Sequence, residues 1–179
     1  TNVINLFLVE SIRQSANGGN TGGTVVGVDG AIPGPATLNG TVHSGAAVSM
    51  ADLFTSTTFC SGAINLASCG PDKVAYIAAH ETGHFLGLFH TTEMEGQDFD
   101  PIADTDKCPC FPCASATDQA NSCGKSSASG QPLVTAARCV RPGCGGGDNL
   151  MFWLLDESVS KGTLTAQQGQ VMKLNPAVQ

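Results

Sequence analysis

The sequence predicts a mixed α/β fold, and three observations support this class. An apolar run rich in β-branched residues at positions 3–9 is typical of a strand buried on both faces. Apolar residues recur at helical spacing from Pro71 onward, and proline is well placed in the first turn of a helix. Glycine accounts for 22 of the 179 residues, which favours long irregular connections over a helical bundle.

The order of the predicted elements indicates one domain over residues 1–179, since a domain usually takes roughly 100–200 residues. Short strands are expected at 24–28 and 46–50, and a helix at about 71–86 that ends at Gly87. A last helix begins at Thr165, which forms a capping-box pattern with Gln168. We expect an upper subdomain of about residues 1–87, with a small twisted sheet, and an irregular lower subdomain of about 88–179.

Composition and charge exclude several classes of partner. The chain has 8 Lys+Arg against 15 Asp+Glu and a net charge of −7, so phosphate backbones would repel it and nucleic acid is not expected to bind. No apolar run approaches the roughly 18–20 residues of a membrane-spanning helix, and we expect a monomer without a membrane partner. Eight cysteines favour an oxidising compartment and a secreted protein. The chain begins at Thr1 without a basic-then-apolar leader, so we expect any signal peptide or pro-segment to be missing from it.

The segment 80–90 reads HETGHFLGLFH and fits the pattern HExxHxxGxxH. On a helix, His80 and His84 project from the same face one turn apart, as two ligands of a tetrahedral zinc ion would. Glu81 points to the side of this pair, where it can reach a zinc-bound water as general base. Gly87 lets the backbone turn away from the helix, so that His90 can return as the third ligand.

Three imidazoles leave a fourth coordination position open, which is typical of catalytic rather than structural zinc. The pattern therefore predicts a zinc-dependent hydrolase. Two alternatives stay open: a non-catalytic, zinc-stabilised binding module that has lost turnover, and a zinc hydrolase acting on a non-peptide amide. Glu81 favours catalysis, because a purely structural site has no use for that carboxylate.

The zinc motif and the later sequence Asp148-Asn149-Leu150-Met151 resemble the signature of the metzincin zinc metalloendopeptidases. The stretches 3–9, 98–105 and 164–172 resemble the pappalysin-like subgroup in particular. The resemblance implies a secreted endopeptidase whose active-site helix lies above a substrate cleft, with Met151 as an apolar floor beneath the zinc ligands. It also implies that the residues after this methionine, Phe152 and Trp153, wall the pocket for the substrate side chain that follows the scissile bond.

A peptide substrate is expected to lie extended along an edge strand of the sheet. The candidate for this strand is the segment 46–50, which makes Val48 and Met50 the predicted substrate-binding residues.

The cysteines predict a disulfide framework. Cys60 and Cys69 are expected to pair locally and close a short loop before the active-site helix. The remaining six would join in any of 15 ways and staple the long loop after the zinc motif: Cys108, Cys110, Cys113, Cys123, Cys139 and Cys144. A second metal site at the first three of these is the alternative, but the chain lacks paired Cys-x-x-Cys knuckles.

Four acidic residues crowd into positions 98–106, just after the third histidine. They form either a solvated acidic loop or a calcium site, because a hard cation would relieve their mutual repulsion. The candidate ligands are Asp98, Asp100, Asp104 and Thr105. Their spacing does not match an EF-hand, which needs glycine at position 6 and glutamate at position 12.

Overall fold

The computed structural model describes residues 3–13, 25–38, 40–41, 43–55, 60, 63–125 and 131–179. Its strands are β1 (Asn5–Val9), β2 (Gly27–Asp29) and β3 (Gly45–Ser49). Its helices are α1 (Gly70–Phe85), α2 (Cys110–Cys113), α3 (Ala116–Asn121) and α4 (Ala166–Leu174), followed by a 3-10 turn at Pro176–Val178. These elements confirm the mixed α/β class.

Tertiary contacts divide the chain into two compact units. The first contains the described residues that fall within 3–13, 25–88 and 168–179, with the sheet and α1. The second contains the described residues that fall within 89–167, with the short helices α2 and α3. No helix among the described residues has both the length and the apolar character needed to cross a membrane.

The sheet of the first unit has the strand order β1-β3-β2, with β1 parallel and β2 antiparallel to β3. The prediction that 46–50 forms an edge strand is therefore wrong, because β3 is central. Val48 is fully buried there and cannot contact a substrate. Met50 follows the strand, and its backbone N–H donates to the carbonyl of Val9 at 2.8 Å.

β1 differs from the strand that its sequence predicts. We expected residues 3–9 to be buried on both faces, but Leu6, Phe7 and Leu8 are 45%, 46% and 59% exposed. The reason is position, since β1 is an edge strand and α1 packs against β3 and β2. The strand predicted at 24–28 lies at Gly27–Asp29 instead, and Thr24 is outside the described residues.

α1 agrees with its predicted bounds to within one residue at each end, and Pro71 lies in its first turn. Two hydrogen bonds end it in the pattern of a Schellman motif: Leu88 N–H donates to Gly83 O at 3.0 Å, and Gly87 N–H to His84 O at 2.9 Å. Gly87 has a φ of 106°, a conformation that glycine adopts without strain. The helix therefore ends at the glycine of the zinc motif, as predicted.

The second unit is stapled by three disulfides: Cys108–Cys139, Cys110–Cys123 and Cys113–Cys144. Their cysteines form a core with Leu133, Val134 and Phe152. The pair Cys60–Cys69 in the first unit is confirmed, and none of the eight cysteines is free. The alternative of a second metal site at Cys108, Cys110 and Cys113 is therefore wrong, because all three sulfurs are in disulfides.

Candidate metal centre

Three histidines come together as the sequence predicts. His80 and His84 lie one turn apart on α1, with their Nε2 atoms 3.1 Å apart. His90 follows the helix, and one ring nitrogen from each of the three histidines lies within 4.8 Å of the others. The group could therefore hold a metal ion such as zinc. In a tetrahedral zinc site with Zn–N bonds of about 2.0–2.1 Å, ligand nitrogens are about 3.3 Å apart, close to the observed separation of the first pair.

The hydrogen bond of His84 fixes which nitrogen can bind metal. Its Nδ1 lies 2.7 Å from the backbone carbonyl of Leu88, and a carbonyl only accepts hydrogen bonds. Nδ1 must therefore carry the proton. In the neutral ring this leaves the lone pair of Nε2, which faces His80, available to a metal.

His90 has a stronger acceptor behind it. Its Nδ1 lies 2.9 Å from Oε1 of Glu93, so the same reasoning places the proton on Nδ1 and leaves Nε2 to bind. Sequence analysis missed Glu93, because the zinc motif ends at His90 and assigns no role to the residue three positions later.

Glu81 is 6% exposed and lies against β2. A Cβ atom added to Gly27 would fall 2.7 Å from both Cγ and Cδ of Glu81, so the strand backbone lies directly over this side chain. Burial raises the pKa of Glu81 to about 8, and the negative charge of Asp29 adds to the shift. Sequence analysis missed Gly27 and Asp29, since only the fold brings them to the helix.

Met151 is fully buried in a tight turn of the second unit. Its N–H donates to Oδ1 of Asn149 at 2.8 Å. Its carbonyl accepts from the N–H of Thr91, the residue after His90, at 2.9 Å. The turn is thus bonded directly beside the third histidine, and its role as a floor beneath a metal stays a prediction.

The two residues after Met151 have different surroundings. Phe152 is 2% exposed within the disulfide core, so the prediction that it walls a substrate pocket is wrong. Trp153 is half-buried against the same core, and its indole N–H donates to Val134 O at 3.2 Å. Only Trp153 is left as a candidate for the pocket.

The predicted calcium ligands do not form a group of facing carboxylates. Asp104 is exposed and accepts from Thr165 Oγ1 at 2.6 Å and from Gln167 N–H at 3.0 Å, which caps the start of α4. Oδ1 of Asp100 accepts from Thr105 Oγ1 at 2.6 Å. Asp98 uses its backbone carbonyl to accept from Glu93 N–H. In the part of the chain that the structure describes, only the three histidines make a candidate metal group of His, Cys, Asp or Glu, and calcium stays a prediction.

Comparisons with known proteins give no match, whether against protein-family models, curated proteins or solved structures.

Proposed function

We propose that the chain is a secreted, zinc-dependent endopeptidase of the metzincin type. The observation that carries the proposal is the three-histidine group, with the buried Glu81 directly after His80 on α1. Three protein ligands are typical of a catalytic zinc, which keeps its fourth position for water or substrate. A carboxylate next to such a group is the general base that a metal-assisted hydrolysis needs. Four disulfides favour an oxidising compartment and hence secretion.

His80, His84 and His90 would hold the metal through the nitrogens that face one another. A bound zinc lowers the pKa of water towards about 7 and polarises a carbonyl. Glu81 would take a proton from the attacking water and pass it to the leaving amine, a role typically worth about 10²–10⁴-fold in rate.

The substrate is a polypeptide in extended form. With β3 in the centre of the sheet, the strand that lies over Glu81 is β2, an antiparallel edge strand. Its backbone N–H and C=O groups can pair with an extended peptide. This pairing would bring a scissile bond to Glu81. The backbone of β2, instead of Val48, would then bind the substrate.

Digestion of casein tests the proposal, with the wild-type chain measured before and after chelation and after zinc is restored. Glu81→Gln, which keeps the shape of the side chain, is the matched control. An endopeptidase is supported if cleavage is lost on chelation, returns when zinc is restored and is absent in Glu81→Gln. A zinc-loaded chain that cleaves neither casein nor gelatin would refute it and favour a binding module, or a hydrolase of non-peptide amides if small amides are turned over.

A further inference from the structure

We propose that Glu93 is a positioning residue. It holds the His90 imidazole in the orientation that binds metal, and so raises the affinity of the three-histidine group for the ion. The inference rests on the metal centre of the proposed function. Its starting point is the 2.9 Å contact between Glu93 Oε1 and His90 Nδ1. His90 lies beyond the end of α1, so helical spacing does not orient its ring.

The backbone around Glu93 is fixed by a turn. The N–H of Glu93 donates to Asp98 O at 3.0 Å, and its carbonyl accepts from Gly96 N–H at 2.8 Å. Gly96 has a φ of 64°, which favours glycine. The carboxylate therefore projects from a closed turn rather than from an open loop, and this lowers the entropy cost of keeping it against His90.

The disulfide core fixes both sides of this turn. Cys110 N–H donates to Gly96 O at 2.9 Å, and Cys108 N–H donates to Thr92 Oγ1 at 3.1 Å. Both cysteines are in disulfides. The stapled loop thus has a role at the metal centre, because it anchors the residues on each side of Glu93.

The chemistry of the acceptor distinguishes the ligands. His84 donates to a neutral backbone carbonyl, whereas His90 donates to a carboxylate. A charged acceptor makes a stronger hydrogen bond. This bond increases the basicity of the other ring nitrogen, Nε2, so that its lone pair binds metal more strongly. Removal of such a partner typically costs about 10–100-fold in metal affinity.

The test is the zinc affinity of the full chain, measured by competition with a chromogenic chelator. We expect Glu93→Ala to bind zinc about 10–100-fold more weakly than wild type. Glu93→Gln keeps an oxygen acceptor without the charge, and we expect its loss to be smaller. The side chain of Glu93 is 43% exposed, so the melting temperature of the metal-free protein should barely change.

Glu95→Ala is the matched control, because it removes the same charge two residues away. We expect its zinc affinity to equal that of wild type. Wild-type affinity in Glu93→Ala, or an equal loss in Glu95→Ala, would overturn the inference while leaving the proposed function intact. A wild-type chain that bound no zinc would overturn both.

Discussion

Replacing Gly27 by alanine tests the geometry of the proposed general base. The added Cβ would lie 2.7 Å from Cγ and Cδ of Glu81, whereas ordinary contact begins at 3.4 Å. The side chain must therefore move by at least about 0.7 Å, and a misplacement of about 1 Å can cost about 10²-fold in rate. We expect kcat/KM for a fluorogenic peptide to fall by one to two orders of magnitude.

The effect should be confined to catalysis, because the three atoms nearest to the new methyl group all belong to Glu81. Zinc content should stay at one per chain in Gly27→Ala. Gly169→Ala is the matched control, since nothing lies within 4 Å of a Cβ at that position, and it should keep full activity. A zinc-loaded Gly27→Ala enzyme with wild-type kcat/KM would show that β2 does not position Glu81, and the reasoning would fail.

Two further changes test other parts of the site. Because the folded pKa of Glu81 is about 8 against an ordinary 4.5, the metal-free fold favours its protonated form, and stability is lost as pH rises between these values. Urea unfolding of the chelated protein should therefore show that Glu81→Gln is more stable than wild type by a few kcal/mol at pH 8, since each pKa unit is worth about 1.4 kcal/mol. At pH 4 the two proteins should have similar free energies of unfolding. A stability difference that does not change with pH would contradict this. Trp153→Phe loses the hydrogen bond to Val134 O but keeps an aromatic ring, so kcat/KM should fall by less than about tenfold. A hundredfold loss in folded, zinc-loaded protein would mean that the indole N–H acts in the transition state.

The candidate metal centre could be predicted because most of its residues are close together in the sequence. His80, Glu81, His84 and Gly87 lie on or just after one helix, and helical spacing alone brings the first two histidines together. The bounds of α1 followed from the same periodicity. The pair Cys60–Cys69 was predictable for a related reason, since these cysteines are close in sequence.

The features that sequence analysis missed depend on contacts between distant segments. The strand order β1-β3-β2 is not encoded in any one strand, so the sequence alone predicts β3 as an edge strand and β1 as a strand buried on both faces. Gly27 meets Glu81 only through that sheet. The three disulfides of the second unit were one of 15 arrangements, and periodicity cannot choose among them.

The most direct test of the central claim is a zinc titration of the metal-free chain with zinc binding and peptidase activity followed together. Both should rise in parallel and break at one equivalent of zinc per chain, because in the proposed function one three-histidine group holds the ion and supports catalysis. Saturation at one zinc without cleavage of unfolded protein substrates, or full activity in the chelated chain, would contradict it.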